Sequence, residues 1–568
     1  MPTMDTQKAM VILCKLETQD ADPDVFLVIS YIDSSGKNRY ELFPIELTLE
    51  EKKAKTWLIK RGFPQNLLVN QAWTKIFETL NVPVTKTGTI VEKFGYFLEK
   101  NYFLPDNSFI GSEEAHTVYL HPKKSIFRPD YSKSGSLDEW KEKIATSALH
   151  STRIMMGLCA GLSGYVLKIV GIIESGGFNL FGASSIGKTT VLKATISLAG
   201  PRCNLQSWNQ TDTGVEELAY GYNDGFITFD EIKTIDPNDK EAIKKLSAII
   251  YRLCSGIERN RSRKYKPDQD RWRTSIMSTG EVSLAMHAEK AGSRRMEGEE
   301  VRVIDVPADA GNAMGIFESL PEEFTDSSTY AQYLDEQSQL FYGTPQAAFL
   351  EELIANLSAE NPETPVKVQL IEWMELFRKK CGVDPKSGIE VRFTNRFALA
   401  YAAGCLAVDY GIFPFTRKDV FKGISACYKA ALSVKPESWE AKVNQQKSTL
   451  AKYLDSQEFL ALDSKESWSV KVVAEIDGFS VSINDIPLIA LKREVVKHLI
   501  PEIYLNDVLR ICKSKGYLLS DANGNNTRSI TLNGKKVRFY CFVSPADKES
   551  VKVVRKQNQG YAAKISSE

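Results

Sequence analysis

Residues Gly182-Ala183-Ser184-Ser185-Ile186-Gly187-Lys188-Thr189 follow the pattern G-x-x-x-x-G-K-[ST], and no other stretch narrows the fold of this chain as far. Its glycines let the backbone curl until successive N–H groups converge on one anion. Such a loop works between a strand and the N-terminus of a helix. The flanks supply both. Phe178-Asn179-Leu180-Phe181 reads as a short buried strand, and 190–198 carries apolar residues at 191, 192, 194, 196 and 198 before Gly200-Pro201 ends it. The pattern therefore predicts a phosphate-cradling P-loop in an α/β domain. Residues 182–190, Thr190 included, would surround the phosphates of ATP, with Lys188 on the outer phosphates and the Thr189 hydroxyl on Mg²⁺.

A second string strengthens this reading. Phe226-Ile227-Thr228-Phe229-Asp230-Glu231 is an apolar strand ending in two carboxylates, about 40 residues past the loop. Asp230 would complete the Mg²⁺ shell, and Glu231 would take the proton of an attacking water. A water-activating acid points to hydrolysis rather than to nucleotide binding alone. Ser278-Thr279-Gly280-Glu281 ends another apolar strand. Thr279 is the expected γ-phosphate sensor, with Ser278 and Glu281 as rivals.

Composition sets wide limits. The chain has 568 residues, enough for three to four domains, with 72 Lys+Arg against 72 Asp+Glu. A chain without net charge is not a polybasic binder as a whole, so any nucleic-acid surface must be local. Nine cysteines form no C-x-x-C and most sit among apolar neighbours, which fits reduced core thiols in a cytosolic protein. Five scattered histidines lack metal-ligand spacing, and the N-terminus has no signal-peptide pattern. The apolar stretch 154–173 contains Lys168 and four glycines, and reads as a buried helix rather than a membrane span.

Four domains are expected: an α+β domain at 1–133, the P-loop ATPase core at 134–310, a helical lid at 311–436 and a winged-helix-like domain at 450–568. In the first, strands are expected at 11–16, 26–32 and 40–45, and helices near 49–61, 70–80 and 88–100. In the core, strands at 178–181, 204–208, 226–230, 273–279 and 301–306 alternate with helices, the pattern of an open parallel sheet. In the last, strands near 469–475 and 479–483 precede helices near 491–499 and 502–515, and strands at 516–519 and 536–543 follow around Asn523-Gly524-Asn525-Asn526. From Leu491 onward 15 Lys/Arg face 7 Asp/Glu, a formal +8 suited to duplex DNA.

Between the Asp-Glu strand and the sensor strand lies a basic insertion. Arg259, Arg261, Arg263, Lys264, Lys266, Arg271 and Arg273 fall within 15 residues, interleaved with Tyr265 and Trp272. It is the expected contact for the backbone of a DNA strand. Arg392 and Arg396 stand at the mouth of the apolar helix 397–408, a placement suited to a phosphate sensor from the lid.

These strings resemble one bacterial family, the domain of unknown function numbered 927 of phages and integrative elements. The resemblance rests on Gly177 through Thr190, Trp208-Asn209-Gln210-Thr211, Asn223-Asp224-Gly225, Asp230-Glu231 and Ser278 through Glu281. Phe103-Leu104-Pro105-Asp106 and Gly135 through Trp140 fit it as well, as do Arg396 through Leu399 and Arg538 through Tyr540. Members include Cch-type helicases of chromosome cassettes, similar to the MCM branch of AAA+ ATPases. The resemblance implies a DNA-translocating homo-oligomer, a hexameric ring with ATP between subunits. By it, Arg302 resembles the finger supplied to a neighbour's ATP, with Arg294 and Arg295 as alternatives, and Arg392 resembles a sensor-2 arginine. A non-unwinding nucleotide-driven motor and a DNA-binding scaffold are the competing readings.

Overall fold

The structure is a computed structural model that describes residues 9–18, 24–91, 93–97, 100–106, 108–111, 117–120, 127–231, 239–257, 271–292, 295, 297–359, 365–435, 439–461, 475–532 and 534–567. The chain divides into two compact units, 1–287 with 295–434, and 435–568 with 288–294.

The first unit is built around a five-stranded, all-parallel sheet. Its order is Gln206–Ser207, Gly225–Asp230, Thr274–Gly280, Gly176–Phe181, Val303–Pro307. Numbered along the chain from Gly176–Phe181, this is 2-3-4-1-5. Parallel strands covered on both faces should be apolar throughout, and here Phe178, Leu180, Ile227, Phe229, Ile276, Met277 and Val303 are all buried. Two of the polar exceptions meet polar partners: Asn179 Nδ2 donates to Asp305 at 2.8 Å, and Ser278 accepts from the Trp208 indole at 2.8 Å. The five strands fall where the apolar runs place them, to within about three residues at the ends.

The apolar stretch at 154–173 begins with the helix Thr152–Val166, whose residues 153–166 are all buried in the first unit. Among the described residues no helix is long and apolar enough to cross a membrane. Three of its glycines bring backbone against backbone or side chain. A Cβ on Gly164 would stand 1.8 Å from the carbonyl oxygen of Gly225, where the carboxylate strand begins. We therefore expect Gly164→Ala to cost about 3 kcal/mol by overpacking, although helix propensity alone favours alanine by about 1 kcal/mol. A shifted urea midpoint with an unchanged m-value checks this, and no shift would mean that the helix can slide away from the sheet.

Ahead of the core, a mixed sheet runs Asn38–Pro44, Val25–Ile32, Met10–Thr18, Thr87–Val91, Thr117–Leu120, antiparallel in its first two pairings and parallel in the last two. The segment expected as a helix at 88–100 is instead the strands Thr87–Val91 and Gly95–Phe97. β-branched Thr87, Thr89, Ile90 and Val91 suit the extended form, and Thr87–Ile90 pairs in parallel with Lys15–Thr18. Gly95–Phe97, Asn101–Phe103 and Phe109–Ile110 form a separate antiparallel sheet. After the core come a stretch without helix at 311–326 and then the helices Ser327–Leu340, Thr344–Ser358, Val366–Lys380, Gly388–Asp409 and Arg417–Ser433.

The second unit holds the helix Trp439–Ser456 and an antiparallel sheet ordered Gly478–Ile483, Ile486–Leu491, Lys535–Phe542, Arg528–Leu532. The first two strands are joined by Asn484-Asp485, both at positive φ (52° and 62°), the two-residue turn that matches strand twist. Helices Arg493–Leu499 and Glu502–Lys515 lie between the two strand pairs in sequence, and Lys548–Ser567 closes the chain. The strands Ile486–Leu491 and Arg528–Leu532 and the last helix are not anticipated from the sequence, while 516–519, expected as a strand, holds only an isolated bridge from Leu518 to Phe542. The strand expected at 469–475 falls, but for Glu475, outside the described residues.

Candidate active site

The P-loop leaves Phe181 at the C-terminal edge of the parallel sheet and enters the helix Lys188–Ser197. Gly182 (φ 156°) and Gly187 (φ 93°) take conformations that side chains avoid, and Ser185 is left-handed at φ 63°. A Cβ on Gly187 would also stand 2.9 Å from Ile316. The helix that follows has no side-chain N-cap and no acidic residue in its first turn. In the same unit the helices beginning at Thr152, Asp212, Ser327 and Arg417 are capped by a side chain, and those beginning at Thr344 and Val366 are not. An uncapped N-terminus leaves backbone N–H groups and the positive end of the helix dipole for an external anion. Lys188, 8% exposed, adds a positive charge to that end, which is unfavourable unless an anion joins it. Its ammonium donates to Gly182 O at 2.8 Å and Ala183 O at 2.6 Å.

The carboxylates arrive from the strand Gly225–Asp230, one strand beyond Thr274–Gly280. The Thr279 hydroxyl donates to Asp230 Oδ1 at 2.6 Å, which fixes the carboxylate and leaves Oδ2 for another ligand. Glu231 N donates to the same oxygen at 3.1 Å. Glu231 itself is held left-handed at φ 44°. Among the three polar candidates on the sensor strand, Ser278 is fully buried under Trp208, and Glu281 accepts from Ser184 at 2.7 Å. Thr279 alone of the three lines the cleft with Asp230 and Glu231.

That cleft has a volume of about 540 Å³ and is lined by residues 184–190, Asp230, Glu231 and Thr279, and on the far side by Ala313, Met314, Gly315, Phe317, Ser327, Ser328 and Ala331. The far wall is not legible in the sequence as part of a site. The one sequence signal near it is Asp326-Ser327-Ser328-Thr329, a helix N-cap, and the Asp326 carboxylate does accept from Thr329 N at 2.9 Å. The wall is braced on the loop: Ile316 N donates to Ile186 O at 3.0 Å, and Ala308 N to Phe181 O at 2.8 Å. Buried Arg153 secures the same segment by donating to Pro307 O at 2.9 Å and Asp309 O at 2.7 Å. Lys193 of the P-loop helix pairs with Asp335 at 2.7 Å, tying on the helix Ser327–Leu340.

The arginines expected to act on phosphate lie elsewhere. Arg392 is exposed on the helix Gly388–Asp409 and donates to Gly388 O at 3.3 Å. One turn on, Arg396 donates to Glu174 O and Ser175 O, just before the P-loop strand begins. These partners lie at the opposite end of that strand from the loop, and Arg392 is not among the residues that line the cleft of its own chain. Arg302 precedes the strand Val303–Pro307 at that same end. It donates to Gly298 O at 2.8 Å, lies over the Tyr251 ring at 5.1 Å and stands 3.8 Å from the Glu174 carboxylate. Nearby, burial raises the Glu299 carboxyl above its ordinary pKa. Arg295 is committed to a buried ion pair with Asp305 at 2.7 Å and is no finger in this arrangement. Arg294 lies outside the described residues, as do Arg259, Arg261, Arg263, Lys264 and Lys266. The described ends of that insertion meet at an antiparallel bridge between Ile257 and Arg271. All nine cysteines are free, seven of them buried, and no cluster of His, Cys, Asp and Glu among the described residues is arranged to hold a metal by itself.

Residues 3–267 match the DUF927 family. This family is described as a domain of unknown function, and the match runs from the N-terminal sheet through the P-loop and Asp230-Glu231. The resemblance carried by those motifs holds over that stretch, while Ser278 through Glu281 and everything after it lie beyond the DUF927 match. A solved structure described as "SCCmec type IV Cch - active helicase" shares the fold across 96% of this chain and 94% of its own, with TM-score 0.60 and 16% identity. A second, "The A form apo structure of NrS-1 C terminal region-CTR", aligns over 94% and 96% at 10% identity with TM-score 0.25, too loose a superposition to use. No curated protein matches the sequence.

Proposed function

We propose that this chain is an ATP-hydrolysing DNA helicase or translocase of a mobile genetic element or phage, built on an AAA+ core and working as a homo-oligomeric, hexameric ring. The observation that carries the reading is the meeting of Lys188, Thr189, Asp230, Thr279 and Glu231 in one cleft at the C-terminal edge of a parallel sheet. The strand order supports it, because the sensor strand lies between the loop strand and the carboxylate strand and leaves a gap for a water. The uncapped helix, the positive-φ glycines and the Lys188 ammonium fit a polyphosphate. A hydroxyl and a carboxylate, Thr189 and Asp230, are hard oxygen donors of the kind Mg²⁺ selects.

When bound, ATP with Mg²⁺ supplies the transferable phosphoryl group. The chain's own residues do the rest. Lys188 turns from the loop carbonyls toward the outer phosphates, and Thr279 keeps Asp230 in one orientation. Glu231, at the rim beside Thr279, takes a proton from the attacking water. In a ring, Arg302 serves a neighbour's nucleotide only after release from Gly298, Glu174 and Tyr251. The basic insertion at 259–266 contacts a DNA strand in the channel. The two helices and strand pair at 493–542 act as a winged helix on duplex.

Strand-displacement with purified protein tests the function. Displacement that needs ATP supports it. DNA-stimulated hydrolysis without displacement would favour a non-unwinding motor, and no hydrolysis at all would leave a DNA-binding scaffold. Neutralising Arg261, Arg263 and Lys264 together is expected to keep basal hydrolysis and remove most DNA stimulation. Each lost phosphate contact should also flatten the salt dependence of DNA binding by about one unit of slope. Unchanged stimulation in a phosphate-release assay would take the insertion out of the DNA path.

A further inference from the structure

The Asn223-Asp224-Gly225 motif has no part in the cleft, yet its first two side chains are almost fully buried, at 1% and 2% exposure. It lies at the start of the carboxylate strand, on the sheet edge away from the P-loop. Three separate parts of the chain converge on it.

From the N-terminal side comes the small sheet around Gly95–Phe97. Tyr96 N donates to Asp224 Oδ2 at 3.1 Å, and Asn223 Nδ2 donates to Phe94 O at 2.7 Å. The Tyr102 hydroxyl donates to Asp224 O at 3.2 Å. From the core side comes the start of the sensor strand. Asp224 Oδ1 pairs with Arg273 Nε at 3.1 Å, Asp224 N donates to Arg273 O at 2.7 Å, and Arg273 N donates to Asn223 Oδ1 at 3.1 Å. From the helix Thr152–Val166, Tyr165 O accepts the Tyr96 hydroxyl at 2.8 Å. Asp224 is left-handed at φ 54°, so the turn is held in shape by its partners rather than by preference. Gly95 (φ 100°) lies so close that a Cβ there would stand 2.7 to 2.8 Å from Asp224 Oδ2, Asn223 Nδ2 and Asn223 O.

We infer that this turn is the seat through which the N-terminal region sets the carboxylate strand against the sensor strand, with Asp224 as the positioning residue. The six residues from Gly225 to Asp230 are buried or nearly so, and the first five, Gly225 to Phe229, pair in register with Thr274 through Ser278. A shift at the seat therefore moves Asp230 and Glu231 relative to Thr279, a contact of 2.6 Å between Asp230 and Thr279. The loop strand Gly176–Phe181 lies two strands from the turn, with the sensor strand between them, so any effect on the phosphate loop has to pass through Thr274–Gly280.

Two variants approach the seat from opposite sides. Gly95→Ala pushes on the turn from the N-terminal sheet. Asp224→Asn keeps the side-chain shape and the tolerance of left-handed φ and removes the charge facing Arg273, so it remains usable if Gly95→Ala folds poorly. In the full-length chain, hydrogen exchange is expected to lose protection across 225–230 and 274–280 while the helix Lys188–Ser197 keeps it. Loss confined to 94–103, or no loss, overturns the inference. The second readout rests on the proposed hydrolysis. Turnover should fall about tenfold, within the range of couplings carried through packed elements. Binding of a non-hydrolysable ATP analogue should stay at one per chain with unchanged affinity. If turnover and binding stoichiometry fall together, Asp224 is merely structural and the inference fails. A wild-type chain that binds no analogue would sink the ATPase reading, and the exchange comparison would still decide the seat.

Discussion

Replacing Lys188 with alanine is expected to lower ATP hydrolysis at least about a hundredfold, the scale of losing one preorganised charge-stabilising donor, with little change in the unfolding midpoint. Without a ligand, Lys188 sits in the first turn of a helix, where a cation is disfavoured by about 0.3–1 kcal/mol, and it compensates by donating to Gly182 O and Ala183 O. Removing it relieves the first term and loses the second, where each hydrogen bond contributes about 0.5–1.5 kcal/mol. The net effect on folding is small. With an ATP analogue and Mg²⁺ present the two chains should part: the wild type gains thermal stability by mass action and the variant does not. Lys188→Arg should fail to restore turnover, since a planar fork does not replace a compact ammonium in a loop this tight. Hydrolysis within a few-fold of wild type in Lys188→Ala would remove the P-loop from the mechanism.

The near side of this cleft is legible in the sequence because it is local. Loop, helix start and Asp230-Glu231 each follow directly on an apolar strand, and parallel strands covered on both faces announce themselves as apolar runs. The far side is not local. Ala313, Met314, Gly315, Phe317 and Ser327-Ser328 line the cleft because Ile316 bonds to Ile186 and Lys193 pairs with Asp335, contacts far apart in the chain that no window of sequence contains. The 88–100 segment is misread for the same reason. Its strand character is settled by parallel pairing with residues 15–18 and by Gly95 lying against Asp224. The partners of Arg396 are not local either. The apolar helix begins at Gly388 and brings Arg396 to Glu174 and Ser175, the far end of the strand that leads into the loop. Arg295 looks free in the sequence because Asp305 is ten residues on and buried.

Glu231 offers a sharper experiment than any of these, because its backbone and its side chain make opposite predictions. Its φ of 44° is a left-handed conformation in which a non-glycine residue costs about 1–3 kcal/mol. The surroundings impose it: Glu231 N is drawn to Asp230 Oδ1 and lies 3.4 Å from Thr279 Oγ1. Such strain is worth keeping only if it aims the carboxylate. Glu231→Gln preserves size and backbone and removes the base. It should bind the ATP analogue as wild type does and hydrolyse about 10²–10⁴-fold more slowly, the usual contribution of a positioned general base. Glu231→Gly removes the base as well and relieves the strain, so it should be equally inactive and more stable by about 1 kcal/mol. Single-turnover hydrolysis and denaturant midpoints on the same three proteins separate the two effects. If the glutamine variant keeps turnover within a few-fold, another group activates the water. If the glycine variant is less stable than wild type, the left-handed turn is held by side-chain contacts of Glu231 and is not a cost borne for catalysis.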